Sequence, residues 1–183
     1  MEIFFATSNK NKFKEAQEVL KDKADVKQLA FDYVELRSEN IEEIARDAAL
    51  AAYRRCREPV FVEDSGLFID SLKGFPGTFS GWVYNKIGNA GILKLMEGVH
   101  DRSATFEARI AFVRRKEEVH IFRGSCKGTI SVEARGDGGF GYDPIFIPAG
   151  EHQTFAESIE LKNKLSHRYK ALLEFSKSIK VRR

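Results

Sequence analysis

The sequence predicts an α/β protein built on a mixed β-sheet, and three observations carry that prediction. Short apolar stretches near the start of the chain alternate with amphipathic helical ones, as in parallel β/α units. Further on, residues 104–113 alternate apolar and polar side chains, the pattern of a half-buried strand, and an antiparallel partner follows. The composition is that of an ordinary globular chain: 183 residues, 43% hydrophobic and 31% charged. That length can bury a sizeable core, and residues 1–183 read as one domain.

The elements follow in order. Glu2 to Ala6 reads as a strand, and Phe13, Ala16 and Leu20 mark one face of a helix after it. Val26 to Ala30 is a second strand. Asn40-x-x-Glu43 has the spacing of a capping box and opens a helix striped with Ile41, Ile44, Ala45, Ala48 and Ala52. Val60 to Val62 is a third strand, expected to end at Glu63-Asp64-Ser65-Gly66. Turns at Gly74, Pro76 and Gly77 lead to helical segments that reach Met96. In the alternating strand, Ala104, Phe106, Ala108, Ile110 and Phe112 share one face. Val119 to Cys126 pairs with it through a turn near Lys116. The glycine-rich residues 136–141 precede a short strand, Ile145 to Ile147. A last helix runs from about Ser166 to Lys180, with Leu165, Tyr169, Leu172 and Ile179 inward.

Composition excludes several classes. The longest apolar runs, Ile3 to Ala6 and Ile145 to Ile147, are too short to cross a membrane, and Asn9 to Lys12 interrupt any apolar leader. The expectation is a cytoplasmic protein. Cys56 and Cys126 lack zinc-ligand spacing and read as core residues. The net charge of +3 is mild, part of it lies in the tail Lys180-Val181-Arg182-Arg183, and elsewhere bases are interleaved with acids. That balance suits an anionic small molecule better than a nucleic-acid backbone.

Four polar islands break the hydrophobic pattern, all at expected strand ends or helix starts, where binding residues gather. Thr7-Ser8-Asn9-Lys10-Asn11-Lys12 offers backbone N–H groups, a helix N-terminus and a lysine to an anion. The plain alternative is a capped helix with solvated lysines. Glu63-Asp64-Ser65-Gly66 sets two carboxylates beside a buried strand, a costly arrangement that a hard cation would neutralise. The alternative is a turn with an Asp bonded to backbone. Gly138-Gly139-Phe140-Gly141-Tyr142-Asp143-Pro144 lets backbone approach a ligand and offers aromatic faces to a nucleobase, or is a tight structural loop. In Lys162-Asn163-Lys164-Leu165-Ser166-His167-Arg168, Ser166 would cap the last helix. His167 and Arg168 would then lie at the end the helix dipole disfavours for cations, a local conflict that points to function.

Together the islands resemble the inosine triphosphate pyrophosphatase (Ham1-like) family. The match is the ordered series Thr7-Ser8-Asn9-x-x-Lys12, Glu63-Asp64-Ser65-Gly66-Leu67, Pro76-Gly77-x-Phe79-Ser80, Gly139-Phe140-Gly141-Tyr142-Asp143-Pro144, Thr154-Phe155-Ala156-Glu157 and Ser166-His167-Arg168. It spans nearly the whole chain. The resemblance implies an elongated mixed sheet with flanking helices, two lobes around a central cleft, a homodimer and a Mg2+ cofactor. It implies hydrolysis of non-standard purine nucleoside triphosphates, such as those of inosine and xanthosine, to the monophosphate and pyrophosphate. By the same resemblance Asn9 and Lys12 hold the triphosphate, Glu35 and Glu63 bind the metal, and Asp64 binds metal or activates water. Phe140 stacks on the purine. Asp143, Ser166, His167 and Arg168 read the base edge, and Lys162 contacts phosphate or base. Thr7, Ser8, Ser65, Gly141 and Tyr142 complete the substrate-binding set. Many bacterial members carry a lysine in the second helix, where this chain has Ala48 and Ala49. Two rivals stand beside this reading: a Maf-like pyrophosphatase acting on other nucleotides, and a nucleic-acid-binding module without catalysis.

Overall fold

A computed structural model describes residues 1–30, 33–115 and 118–179. Within it the strands are β1 (Glu2–Ala6), β2 (Asp25–Leu29), β3 (Val60–Ile69), β4 (Pro76–Gly77), β5 (Ser103–Val113), β6 (Val119–Ile130) and β7 (Phe146–Pro148). The helices are α1 (Lys10–Leu20), α2 (Ile41–Cys56), α3 (Ser80–Leu95), α4 (Ile159–Leu165) and α5 (His167–Ser178). The sheet runs in the order β2-β1-β3-β5-β6-β7, with β4 paired to β3. β1 is parallel to β2 and to β3, while β4 is antiparallel to β3 and β7 to β6. The expected mixed α/β sheet is therefore present.

The chain divides into two compact units. The first holds Met1–Asp64, Ala108–Gly124 and Arg168–Arg183, and the second Ser65–Glu107 and Ser125–His167. In the first unit, the two-residue repeat of β1 sends Ile3 and Phe5 into one cluster with Leu20, Phe61, Ile110 and Phe175. Ala6, from the intervening positions, joins a second cluster with Val60, Val62 and the small face of α2. That face is Ala45, Ala48, Ala49 and Ala52, at the i, i+3, i+4, i+7 spacing of one helix stripe. Ala48 and Ala49 are core residues, 1% and 0% exposed. The bases of α2 lie elsewhere, with Arg46 paired to Glu42.

The alternation in β5 holds as far as Ile110, and beyond it Ala111, Phe112 and Val113 are all buried. That end of the strand is covered on both faces, since Phe112 and Val113 belong to different clusters. The second unit has its own core around Leu67, Ile92, Met96, Phe106, Ile145, Phe146 and Phe155.

One expectation is corrected. β3 does not stop at Glu63 but continues to Ile69. Partners account for this: Leu67 and Phe68 pair with Gly77 and Pro76 of β4. The expected last helix is α5, and a further helix precedes it: α4, capped by Ser158, whose Oγ accepts from Leu161 N at 3.2 Å. Ser166 ends α4, its N–H donating to Lys162 O, and is the residue directly before α5. The turn near Lys116 and the end of the last helix at Lys180 lie outside the described residues.

Candidate active site

In the first unit, α1 starts at a cap. Asn9 Oδ1 accepts from Asn11 N and Lys12 N at 2.9 and 3.1 Å, and Thr7 Oγ1 accepts from Asn9 N at 3.1 Å. Ser8 is exposed. The first turn carries no acid to oppose an anion.

Lys12 and Glu15 stand three residues apart on α1 and so share a side. Lys12 Nζ meets Glu63 Oε2 at 2.8 Å, and Arg168 bridges Glu63 Oε1 at 3.1 Å and Glu15 Oε2 at 2.8 Å. The Glu63 and Arg168 side chains are 1% and 4% exposed. Burial opposes the charge on Arg168, but Glu63 and Glu15 more than offset it and raise the guanidinium pKa above its ordinary value. Two cations and two carboxylates thus form one alternating chain of charge, the condition under which charges are tolerated in a dry interior.

The resemblance gives Arg168 a role at the base edge, and its ion pairs with Glu63 and Glu15 do not test that role. Here its Nε and one Nη face carboxylates of the first unit, because a planar guanidinium buried beside two acids makes its strongest hydrogen bonds to them.

Because β3 runs through the acid pair, Glu63 and Asp64 point to opposite faces of the sheet. Glu63 shares a face with Phe61 and Asp64 with Val62, and those residues lie in different core clusters. Asp64 belongs instead with Glu35, in the irregular stretch before α2, and with Asp47 on α2. All three carboxylates act on the Tyr33 hydroxyl, which burial first, and then Glu35, Asp64 and Asp47, push up to about 12.

Among the described residues no three His, Cys, Asp or Glu side chains form a preformed metal centre. The donors still suit a hard cation. A small divalent ion keeps several waters and takes one or two carboxylates together with substrate phosphates, and Glu35 and Asp64 supply that type of oxygen. Glu63, which the resemblance gives to the metal, is paired here with Lys12 and Arg168.

In the second unit, the glycine-rich loop folds back on itself. Asp143 Oδ2 accepts from Phe140 N at 2.7 Å and pairs with Lys162 Nζ at 2.7 Å; both side chains are buried. Lys162 reaches from α4 and holds its ammonium 4.0 Å from the centre of the Phe140 ring. Gly139, at φ 69°, must be glycine twice over, since a Cβ there would also strike the Asp143 carboxylate. Gly138 N donates to Ala156 O, and Thr154 and Glu157 bond each other's backbone, so the Thr154–Glu157 segment backs the loop.

Tyr142 turns inward. Its hydroxyl donates to Ser80 O at 3.0 Å and is held above its ordinary pKa by burial. His167 stacks on Phe106 at 4.5 Å and is 4% exposed. Ser166 is 3% exposed and Ser65 is half-buried on β3. The Pro76–Ser80 stretch is structural, for Ser80 Oγ donates to Gly77 O and accepts from Leu67 N.

The structure therefore gathers Lys12, Glu63 and Arg168 in one group, sets Glu35 and Asp64 about Tyr33 in another, and joins Phe140, Asp143 and Lys162 in a third. Sequence reasoning missed Glu15, Tyr33, Asp47 and Asn89. Only Glu15 had a local signal, its spacing from Lys12 on one helix face.

The family model for the Ham1 family matches residues 3–178. Among curated relatives, the dITP/XTP pyrophosphatase of Pyrococcus horikoshii is 48% identical over 183 residues, covering 99% of this chain and 98% of that protein. The dITP/XTP pyrophosphatase of Methanopyrus kandleri is 47% identical over 178 residues, 96% and 95% of the two chains. Among solved structures, a HAM1 protein from Coxiella burnetii superposes with a TM-score of 0.85 at 33% identity, covering 97% of each chain.

Proposed function

The chain belongs to the Ham1 family, and on that premise we propose that it hydrolyses non-standard purine nucleoside triphosphates, those of inosine, deoxyinosine and xanthosine, to the monophosphate and pyrophosphate. The observation that carries the reading is that one chain holds both a cation at an open helix start, Lys12, and an aromatic ring with a buried ammonium over it, Phe140 and Lys162. The first suits a polyphosphate and the second a base.

In this reading Asn9 and Lys12 take the phosphates at the start of α1, where backbone N–H groups and the helix dipole favour negative charge. Asp64 accepts the proton of the water that attacks the α-phosphorus, and pyrophosphate leaves with its charge offset by Lys12. Mg2+, held by Asp64 and Glu35, would supply charge neutralisation and lower the pKa of bound water. Arg168 fixes Glu63, and Glu63 in turn fixes Lys12.

Phe140 stacks on the purine, with Asp143, Lys162, Ser166 and His167 around the base. A donor such as Lys162 facing position six pairs with the oxygen of hypoxanthine or xanthine and is left unpaired by the amino group of adenine. An unpaired buried donor costs about 1–3 kcal/mol. The reading includes a cytoplasmic homodimer. No helix among the described residues is long and apolar enough to cross a membrane, and α3 and the turn before it expose Phe79, Trp82 and Ile87 as an apolar surface for a second copy.

A pyrophosphate-release assay over a panel of nucleoside triphosphates with Mg2+ tests the proposal. Inosine and xanthosine triphosphates should far outrun adenosine triphosphate, and excess chelator should end turnover. Equal rates on all standard triphosphates, or full activity in chelator, would contradict it.

A further inference from the structure

The loop that carries Phe140 is tied to α3 by a side chain with no part in the reaction described above. Asn89 Nδ2 donates to the carbonyl of Gly141, the residue after Phe140, at 3.1 Å. The amide orientation is set by this bond, since the reverse would oppose two oxygens. Asn89 Oδ1 is shielded from solvent and has no hydrogen-bond partner among the described residues. A dry, unsatisfied acceptor is a local cost of the kind that folded chains keep mainly at functional positions.

Asn89 also follows a break in the helix. Gly88 sits at φ 59°, ψ −163°, in the middle of α3. That conformation is open to glycine and strained for any L side chain, and a Cβ at Gly88 would meet nothing within 4 Å, so the backbone and not the space demands the glycine. Gly91 accommodates the break, since a Cβ there would collide with Ile87. In an unbroken helix the direction of residue 89 is fixed by that of residue 88. The break frees Asn89 from that course and lets it meet Gly141.

We infer that Asn89, aimed by the Gly88 break, is a positioning residue that fixes the Gly141–Tyr142 peptide, one residue beyond Phe140, and thereby the ring on which the purine stacks. It acts on recognition of the base and leaves the phosphate chemistry alone. This rests on the proposed function, which makes Phe140 the stacking residue. Two ties reach the loop from α3: Ser80 O receives the Tyr142 hydroxyl, and Asn89 holds Gly141. The buried Asp143–Lys162 pair is another, and its Asp143 accepts from Phe140 N. Asp143 thus holds the N–H of Phe140, and the Asn89 bond adds a hold on the C-terminal side of the ring.

The test uses the full-length protein and Asn89→Asp, which keeps shape and loses the donor. Steady-state kinetics with inosine triphosphate are paired with a thermal melt and with inhibition by inorganic tripolyphosphate. Quenching of a 2-aminopurine riboside triphosphate reports stacking directly. The expected result is a KM raised about tenfold, as for one lost hydrogen bond, with kcat within about twofold. Quenching should weaken in parallel, and tripolyphosphate inhibition should stay as in the wild type. Should Asn89→Asp fail to fold, Gly88→Ala gives the second route, because it keeps the amide but denies it the break, and the same KM-selective loss is expected.

Unchanged KM and quenching in a folded variant would overturn the inference alone. So would a loss in kcat, or a weakening of tripolyphosphate inhibition equal to the weakening of substrate binding. A wild-type protein that neither hydrolyses inosine triphosphate nor quenches the purine probe would overturn the functional reading, and the inference with it.

Discussion

The charged group around Glu63 and the aromatic group around Phe140 solve the same problem, holding polar chemistry in a dry interior, with different materials. The first assembles Lys12, Glu63 and Arg168 from α1, β3 and α5, and it stays buried because each charge has an opposite partner. The second is mostly local: a loop of seven residues folds on its own Asp143, and one lysine from α4 completes it. Distance in sequence decides how each would fail. Loss of one member of the long-range group strands a buried charge, whereas loss of the Phe140 ring removes one contact and leaves the buried Asp143–Lys162 pair standing.

The largest effect should come from the opposite face of β3. Asp64→Asn is nearly isosteric but removes the proton acceptor, so kcat should fall about a thousandfold while the melting temperature moves by only a few degrees. Activity near wild type in a rate assay would remove Asp64 from the chemistry.

Next is Arg168→Ala, which leaves Glu63 and Glu15 uncompensated. Urea unfolding should show a loss of about 3–5 kcal/mol, the cost of breaking a buried ion pair from one side. Activity toward inosine and adenosine triphosphates should drop in equal proportion. A loss confined to the inosine substrate would return Arg168 to the base edge.

Phe140→Ala should cost about 1–3 kcal/mol in kcat/KM on both substrates, with their ratio nearly unchanged, since every base has a π face. A changed ratio would mean that Phe140 discriminates and does not merely stack.

The smallest expected effect is at Tyr33. Its folded-state pKa is raised from 10.0 to about 12, so the stability it contributes is fully present below pH 10.0 and is lost as pH rises towards 12. Urea midpoints measured across that window should fall less steeply in Tyr33→Phe than in the wild type. Parallel slopes would mean that neither burial nor the three acids act on the phenol.

The contrast between the two groups also explains what the sequence made legible. Periodicity is local, so β1, α1, α2 and the alternation of β5 could be read directly, and the Gly138–Pro144 loop could be recognised because its partners lie mostly within it. Pairings across the chain leave no local trace. Nothing near Arg168 announces Glu15, and nothing near Tyr33 announces Asp47. The end of β3 was misplaced for a related reason: Glu63-Asp64-Ser65-Gly66 resembles a turn, but pairing with β4 keeps the strand going, and the two carboxylates point to opposite faces. α4 escaped notice because seven residues are too few to show a stripe. Ser166, read as the cap of the last helix, stands directly before α5 and also closes α4.

A double-mutant cycle on kcat/KM for inosine triphosphate, using Lys12→Met, Phe140→Ala and the pair together, tests the division of labour most directly. If Lys12 serves the phosphates and Phe140 the base, each single variant should lose activity. The losses should then multiply in the double variant, with a coupling within about 0.5 kcal/mol of zero. A double variant no worse than the poorer single one, or a single variant with wild-type kcat/KM, would contradict the account.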